Sequence, residues 1–188
     1  MPIEKVLTPD LMYRAAVWVA LIDAALVALL WWRVGPEGLR RAKWPITAVA
    51  GVFWLAVWAV MHTMFWDRVY AHVFPGWARW VVPPVFGAGY ALLTLGWRWL
   101  ALRAGRGAVA AWAALWGATG ALTHTWAIYG RGLLANTPML QHLTPASAIV
   151  FATFEFGFYG CVILVAGTLV RRVLERARGD RADRGATR

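Results

Sequence analysis

The sequence predicts an all-α integral membrane bundle of five transmembrane helices, with its amino terminus outside and its carboxyl terminus in the cytoplasm. Three features predict it. The 188 residues are 61% hydrophobic and 15% charged, against roughly 45–50% and 25% for a soluble domain. Five apolar runs approach the ~20 residues needed to cross about 30 Å of hydrocarbon as a helix. Alternation with a period of two is absent, which argues against a β-barrel, and lipid offers an open backbone no other way to satisfy its polar groups.

The first span, Leu11–Trp32, is too long and too polar-flanked for a cleaved signal peptide, so it is expected to stay in the protein. The second covers Trp44–Trp66. The third covers Trp80–Leu102, and Pro83 and Pro84 are expected to open it, because a missing N–H costs least in a first turn. The fourth, Ala108–Tyr129, ends at Gly130-Arg131-Gly132, and Thr144-Pro145 signals the start of the fifth, Ala146–Val170. Residues 1–170 then form a single domain, and residues 171–188, rich in Arg, Asp and Gly, a basic unstructured tail. Nine of the fourteen tryptophans mark span ends, as an interfacial aromatic belt does; Trp18, Trp54, Trp58, Trp112 and Trp116 lie deeper and read as packing or lipid-facing groups.

The net charge of +10 does not point to nucleic acid, because Lys and Arg fall in the gaps between apolar runs rather than on a soluble face. One set of gaps and the carboxyl end hold fourteen of them, from Arg33, Arg40, Arg41 and Lys43 to Arg188. The opposite set holds five: Lys5, Arg14, Arg68, Arg79 and Arg131. The positive-inside rule turns this bias into the orientation given above, in a plasma membrane of bacterial inner-membrane type, and makes the lipid bilayer the first partner. Cys161 is the single cysteine, which rules out an intrachain disulfide and any multi-cysteine metal cluster.

A charged side chain at the bilayer centre costs on the order of 2.5–3.5 kcal/mol on insertion scales, so an intramembrane carboxylate is a functional candidate. Asp23 in the first span and Glu155 in the fifth qualify as acid–base groups. His62 and His124 each precede the end of an outward-running span by four or five residues, roughly 6–8 Å below the outer boundary. Side chains tilt toward the amino end of their helix, so the imidazoles lean inward and Glu155, about ten residues into an inward-running span, leans outward. That places His62, His124 and Glu155 in one layer as candidate metal ligands, with Met61 and Met64 beside His62 as softer donors. Tyr159, four residues after Glu155, can hydrogen-bond it. His72 and His142, in the two outer connections, are weaker cofactor-binding candidates and read equally as solvated loop residues. The connection Tyr129–Thr144 exceeds what joining two antiparallel helices requires, and as a lid it would bring Arg131 and His142 toward Glu155.

Two families share features with these residues. Phe74-Pro75-Gly76-Trp77 with Pro83-Pro84-Val85-Phe86-Gly87 resembles the Pro-Trp-Pro-Pro element of the tryptophan-rich sensory family. That element follows the first helix there and the second here, and the family's later Gln-Leu-x-Leu-Asn pattern is missing, so the match is not adopted. The spacings from His62 to His72 and from His124 to His142 are similar to the histidine pairs that hold two b haems in the cytochrome b subunit of respiratory nitrate reductase, over those four residues only.

Three functions follow for a small polytopic membrane protein with this His/carboxylate layer. The first is a metal ion or b-type haem held in the outer leaflet. The second is an acid–base enzyme acting on a lipophilic substrate such as an isoprenoid, sterol or quinone. There Glu155 or Asp23 gives the proton, His62 or His124 takes it, and Trp58, Phe151, Phe154, Phe158 and Tyr159 stabilise a cation. The third is a non-catalytic subunit or transport component of a membrane complex; no internal repeat or broken-helix pair marks an autonomous carrier.

Overall fold

The computed structural model describes residues 7–186, and they form helices and turns with no strand among them. Lys5, counted above on the outer side, lies outside the described residues. Seven α-helices follow in chain order: α1 Pro9–Arg33, α2 Gly35–Arg41, α3 Lys43–Phe65, α4 Ala78–Arg103, α5 Ala108–Thr125, α6 Leu133–Asn136 and α7 Pro145–Ala186. The five long ones coincide with the five apolar runs. Of these, α1, α3, α4 and α7 are long and apolar enough to cross a membrane. The two glycines, three threonines and His124 of α5 lower the hydropathy of that 18-residue helix, and several of them serve packing. A π-helical turn, Trp126–Gly130, continues it.

Three helices start where the chain supplies a local reason. Thr8 caps α1, its hydroxyl accepting from the Leu11 amide at 3.3 Å, and Pro9 occupies a first-turn position where no N–H is needed. Gly35, at φ +56°, turns the chain into α2, a short helix in the connection between the first two apolar runs. At the head of α7, Thr144 and Ser147 exchange side-chain-to-amide bonds of 3.1 and 3.2 Å, a reciprocal capping arrangement.

Two expectations are corrected. Pro83 and Pro84 do not open α4; the helix begins at Ala78, ahead of them, and carries both prolines in its interior. The stretch Pro75–Trp80 closes with i to i−3 bonds, so a tight turn has already formed before the prolines withdraw their donors. Second, α7 continues past Val170 to Ala186, where an unstructured tail is expected. Arg171 and Glu175, four apart on that stretch, approach to 3.7 Å, a pairing of the kind that supports an exposed helix.

Long helices successive in the chain run in alternating directions, and α1 and α7, which pack side by side, run the same way. Contacts pair Gly51 with Gly87 between α3 and α4, and Ile46 with Gly167 between α3 and α7. Between α5 and α7, Gly117 faces Thr153 and Gly120 faces Ala152. α1 lies outside this group along α7, bringing Asp23 to Gly157. Where α3, α4, α5 and α7 meet, Trp54, Tyr90, Trp116 and Phe156 form one aromatic knot. Trp54 stacks on Tyr90 at 4.1 Å between ring centroids and lies 5.9 Å from Trp116 and 4.8 Å from Phe156. Bulky, rigid rings joining four helices this way bury large areas with little loss of side-chain freedom.

At the opposite end, Arg98 of α4 donates to the carbonyls of Leu39 at 2.6 Å and Arg40 at 2.9 Å, satisfying the end of α2. Arg98→Ala is expected to lower stability by about 2 kcal/mol, the order of a charged hydrogen bond to a part-buried group, read as a drop in thermal midpoint in detergent. An unchanged midpoint would mean that α2 is held by the burial of Leu39 alone.

Candidate functional site

Above the aromatic knot, α3, α4, α5 and α7 enclose a cavity of about 430 Å³. Its walls are the carboxyl-terminal half of α3 (Trp54, Val57, Trp58, Met61), the amino-terminal half of α4 (Phe86, Tyr90), the end of α5 (Leu122, Thr123, His124) and the first half of α7 (Glu155, Phe156, Tyr159). Tyr70, Val73 and Phe74 from the α3–α4 connection close one side, and Trp126, Ala127 and Leu133 from the α5–α7 connection another. Leu122, Trp126 and Met61 keep much of their surface exposed and form the rim. The lining is mainly apolar and aromatic, with a few polar groups, which is the usual make-up of a small-molecule site.

Those polar groups have defined partners. The Tyr159 hydroxyl donates to Glu155 Oε1 at 2.5 Å, bearing out the i, i+4 pairing read from the sequence. Among the described residues Glu155 Oε2 has no hydrogen-bond partner, and it is not fully buried on the cavity wall. His124 Nδ1 lies 3.1 Å from the Gly120 carbonyl oxygen. A carbonyl only accepts, so this contact places the proton on Nδ1 and leaves Nε2 as the basic nitrogen. The His124 ring also meets Phe156 edge-on at 5.8 Å. Burial pushes the Tyr70 hydroxyl up to about 12, so this phenol keeps its proton as a neutral donor. Among the described residues, no Lys or Arg lines the cavity.

The expected layer is therefore assembled in part. Glu155, Tyr159 and His124 share the cavity. His62, 1% exposed, does not line it. It is enclosed by Trp58 and Trp66 at 5.3 Å, Tyr70 at 4.4 Å and Phe74 at 6.1 Å, with no protein partner for either ring nitrogen. Met61 reaches the cavity rim, whereas Met64 is exposed. Asp23 lies away from the cavity, at the seam of α1 and α7, where its Oδ2 occupies the space beside Gly157 and its Oδ1 is buried without a partner. His72 and His142 are exposed on the connections. The Tyr129–Thr144 connection contributes Leu133 to the cavity wall, but Arg131 lies over the Trp126 ring, 5.2 Å from its centroid, and neither it nor His142 reaches the lining. Among the described residues, no three His, Cys, Asp or Glu side chains are grouped so as to hold a metal ion.

Sequence reasoning missed Tyr70, Phe74, Phe86 and Tyr90 as cavity residues. Phe86 and Tyr90 carry a usable signal, since they stand four apart and so share one helix face. Tyr70 and Phe74 sit in an irregular connection whose path is set by tertiary contacts, and nothing in their local pattern marks them.

The chain matches no protein-family model, no curated protein and no solved structure.

Proposed function

We propose that this chain is a multi-pass membrane protein whose cavity binds a lipophilic molecule of isoprenoid, sterol or quinone type and acts on it by proton transfer. The observation that carries this reading is the combination of a largely aromatic cavity with a carboxyl–phenol pair and an oriented imidazole on its wall. Five crossings, with the amino terminus outside, agree with the alternating helix directions and with the positive-inside bias. The cavity then lies in the outer leaflet, open to molecules dissolved in lipid.

The chemistry is an acid–base sequence on an olefinic or carbonyl carbon skeleton. Glu155 Oε2 gives its proton to the substrate, whose C=C or C=O electron pair forms the new bond. The carboxylate left behind keeps the hydrogen bond from Tyr159, and the positive centre created on the substrate faces aromatic rings. His124 Nε2 takes the proton that the product sheds, and its return from the imidazolium to Glu155 resets the site. Grouping among the described residues gives the metal reading no support, and the separation of His62 from the cavity gives none to a haem held between His62 and His124.

Solvent extraction of the purified protein is expected to yield one such lipophile in near-stoichiometric amount. Ala127→Trp, which fills the cavity from the α5–α7 connection, should exclude it without unfolding the protein. Glu155→Gln should still bind the recovered molecule and leave it unconverted, where the native protein converts it. Recovery of bulk phospholipid alone from the native protein would overturn the proposal, and undiminished turnover by Glu155→Gln would remove the acid role of Glu155.

A further inference from the structure

We infer that the cavity is a site for lipophilic ammonium ions, which it binds in preference to uncharged molecules of the same shape. This inference rests on the cavity being the ligand site proposed above, and adds the charge of what fits there.

Three observations carry it. First, the two accessible polar atoms on the α5 and α7 walls are Glu155 Oε2 and His124 Nε2, and both are acceptors once Glu155 is ionised, the form an ammonium ion would hold. The Tyr159 proton is already committed to Glu155 Oε1, and the Nδ1 proton to the Gly120 carbonyl. Second, among the described residues no Lys or Arg side chain lines the cavity to neutralise a carboxylate; Arg131, over the Trp126 ring, is exposed and outside the lining. Third, the rest of the wall is a cage of rings: Trp54, Trp58, Tyr70, Phe86, Tyr90 and Phe156 in addition to Tyr159.

Ring faces carry negative charge density and attract a desolvated cation, most strongly where water is excluded. A protonated tertiary amine supplies one N–H to the acceptor pair and lays its carbon substituents against the rings. It gives Glu155 the counter-charge that the protein itself withholds, so neither charge is buried unpaired. An uncharged isostere fills the same volume but offers Glu155 no counter-charge, so the carboxyl keeps its proton. The ammonium ion also reproduces the charge arrangement reached after Glu155 has protonated a substrate, a positive carbon centre facing a carboxylate. A transition-state-like ligand of this kind binds more tightly than its neutral counterpart.

The test compares geranyldimethylamine, protonated at neutral pH, with its carbon isostere in which C–H replaces N⁺–H. Binding is measured by equilibrium dialysis against the full-length protein in nanodiscs, with partition into empty nanodiscs subtracted. The amine is expected to bind about tenfold or more tighter than the isostere. Glu155→Gln should lower amine affinity toward that of the isostere and leave isostere affinity unchanged, and Glu155→Asp should keep a larger preference for the amine than Glu155→Gln. Equal binding of both ligands by the native protein would overturn the ammonium inference while leaving the lipophilic cavity standing. Binding of neither would remove both. The comparison on native protein decides the matter even where a Glu155 variant does not fold.

Discussion

Gly120→Val is expected to drive α5 and α7 apart and to abolish both stability and ligand binding. A Cβ at this position would lie 2.2 Å from the Ala152 carbonyl oxygen and 2.8 Å from Cβ and Cγ of Phe156. The first obstacle is helix backbone, which cannot swing aside as a side-chain tip can, so the helices must separate. Overpacking a core costs about 1–3 kcal/mol where side chains can yield, and the loss here should exceed that range. Because His124 and Phe156 stand on these two helices, the same separation spoils the cavity. Unfolding titrations in detergent and ligand dialysis in nanodiscs check the two effects. Gly96→Ala is the matched control: a Cβ there meets nothing within 4 Å, and only a small change is expected. A Gly120→Val protein as stable as the native one would show that the α5–α7 contact is looser than described.

Trp112→Ala is the second large effect. The indole is fully buried, and its Nε1 donates to the Gly160 carbonyl oxygen at 2.7 Å, tying α5 to α7 below the aromatic knot. Removing a buried tryptophan leaves a cavity and costs about 3–5 kcal/mol. The freed Gly160 carbonyl adds little, because as a helix carbonyl it retains its backbone partner. The substitution lies away from the cavity lining, so the prediction separates stability from binding: the thermal midpoint should fall sharply, while the folded fraction keeps its ligand affinity. Loss of affinity in parallel would show that the knot, and not the lining alone, sets the cavity shape. Trp112→Phe, which keeps most of the packing, should recover most of the stability.

Gly117, Gly120 and His124 show why much of this was readable in advance. Small residues three and four apart, leading to a polar group, mark one helix face, and that face packs on α7 as the spacing indicates. The Glu155–Tyr159 pair is likewise a matter of local helix geometry. His62 shows the limit. Its depth matches that of His124, because depth depends only on rise per residue, but its azimuth points into Trp58, Trp66, Tyr70 and Phe74. Which of two neighbouring interior spaces a side chain enters is decided by helix rotation and by how the connection after α3 folds back.

Composition and run length determined by themselves that the chain is helical and built around long apolar segments, since lipid admits few other solutions for a backbone. They also set which ionisable groups lie away from the helix ends. Only the tertiary structure decided that Glu155, Tyr159 and His124 share a cavity while Asp23 is turned to the α1–α7 seam and His62 is sealed behind Tyr70. Distance along one helix is fixed by covalent geometry, whereas proximity between helices depends on packing contacts made by residues far apart in the chain.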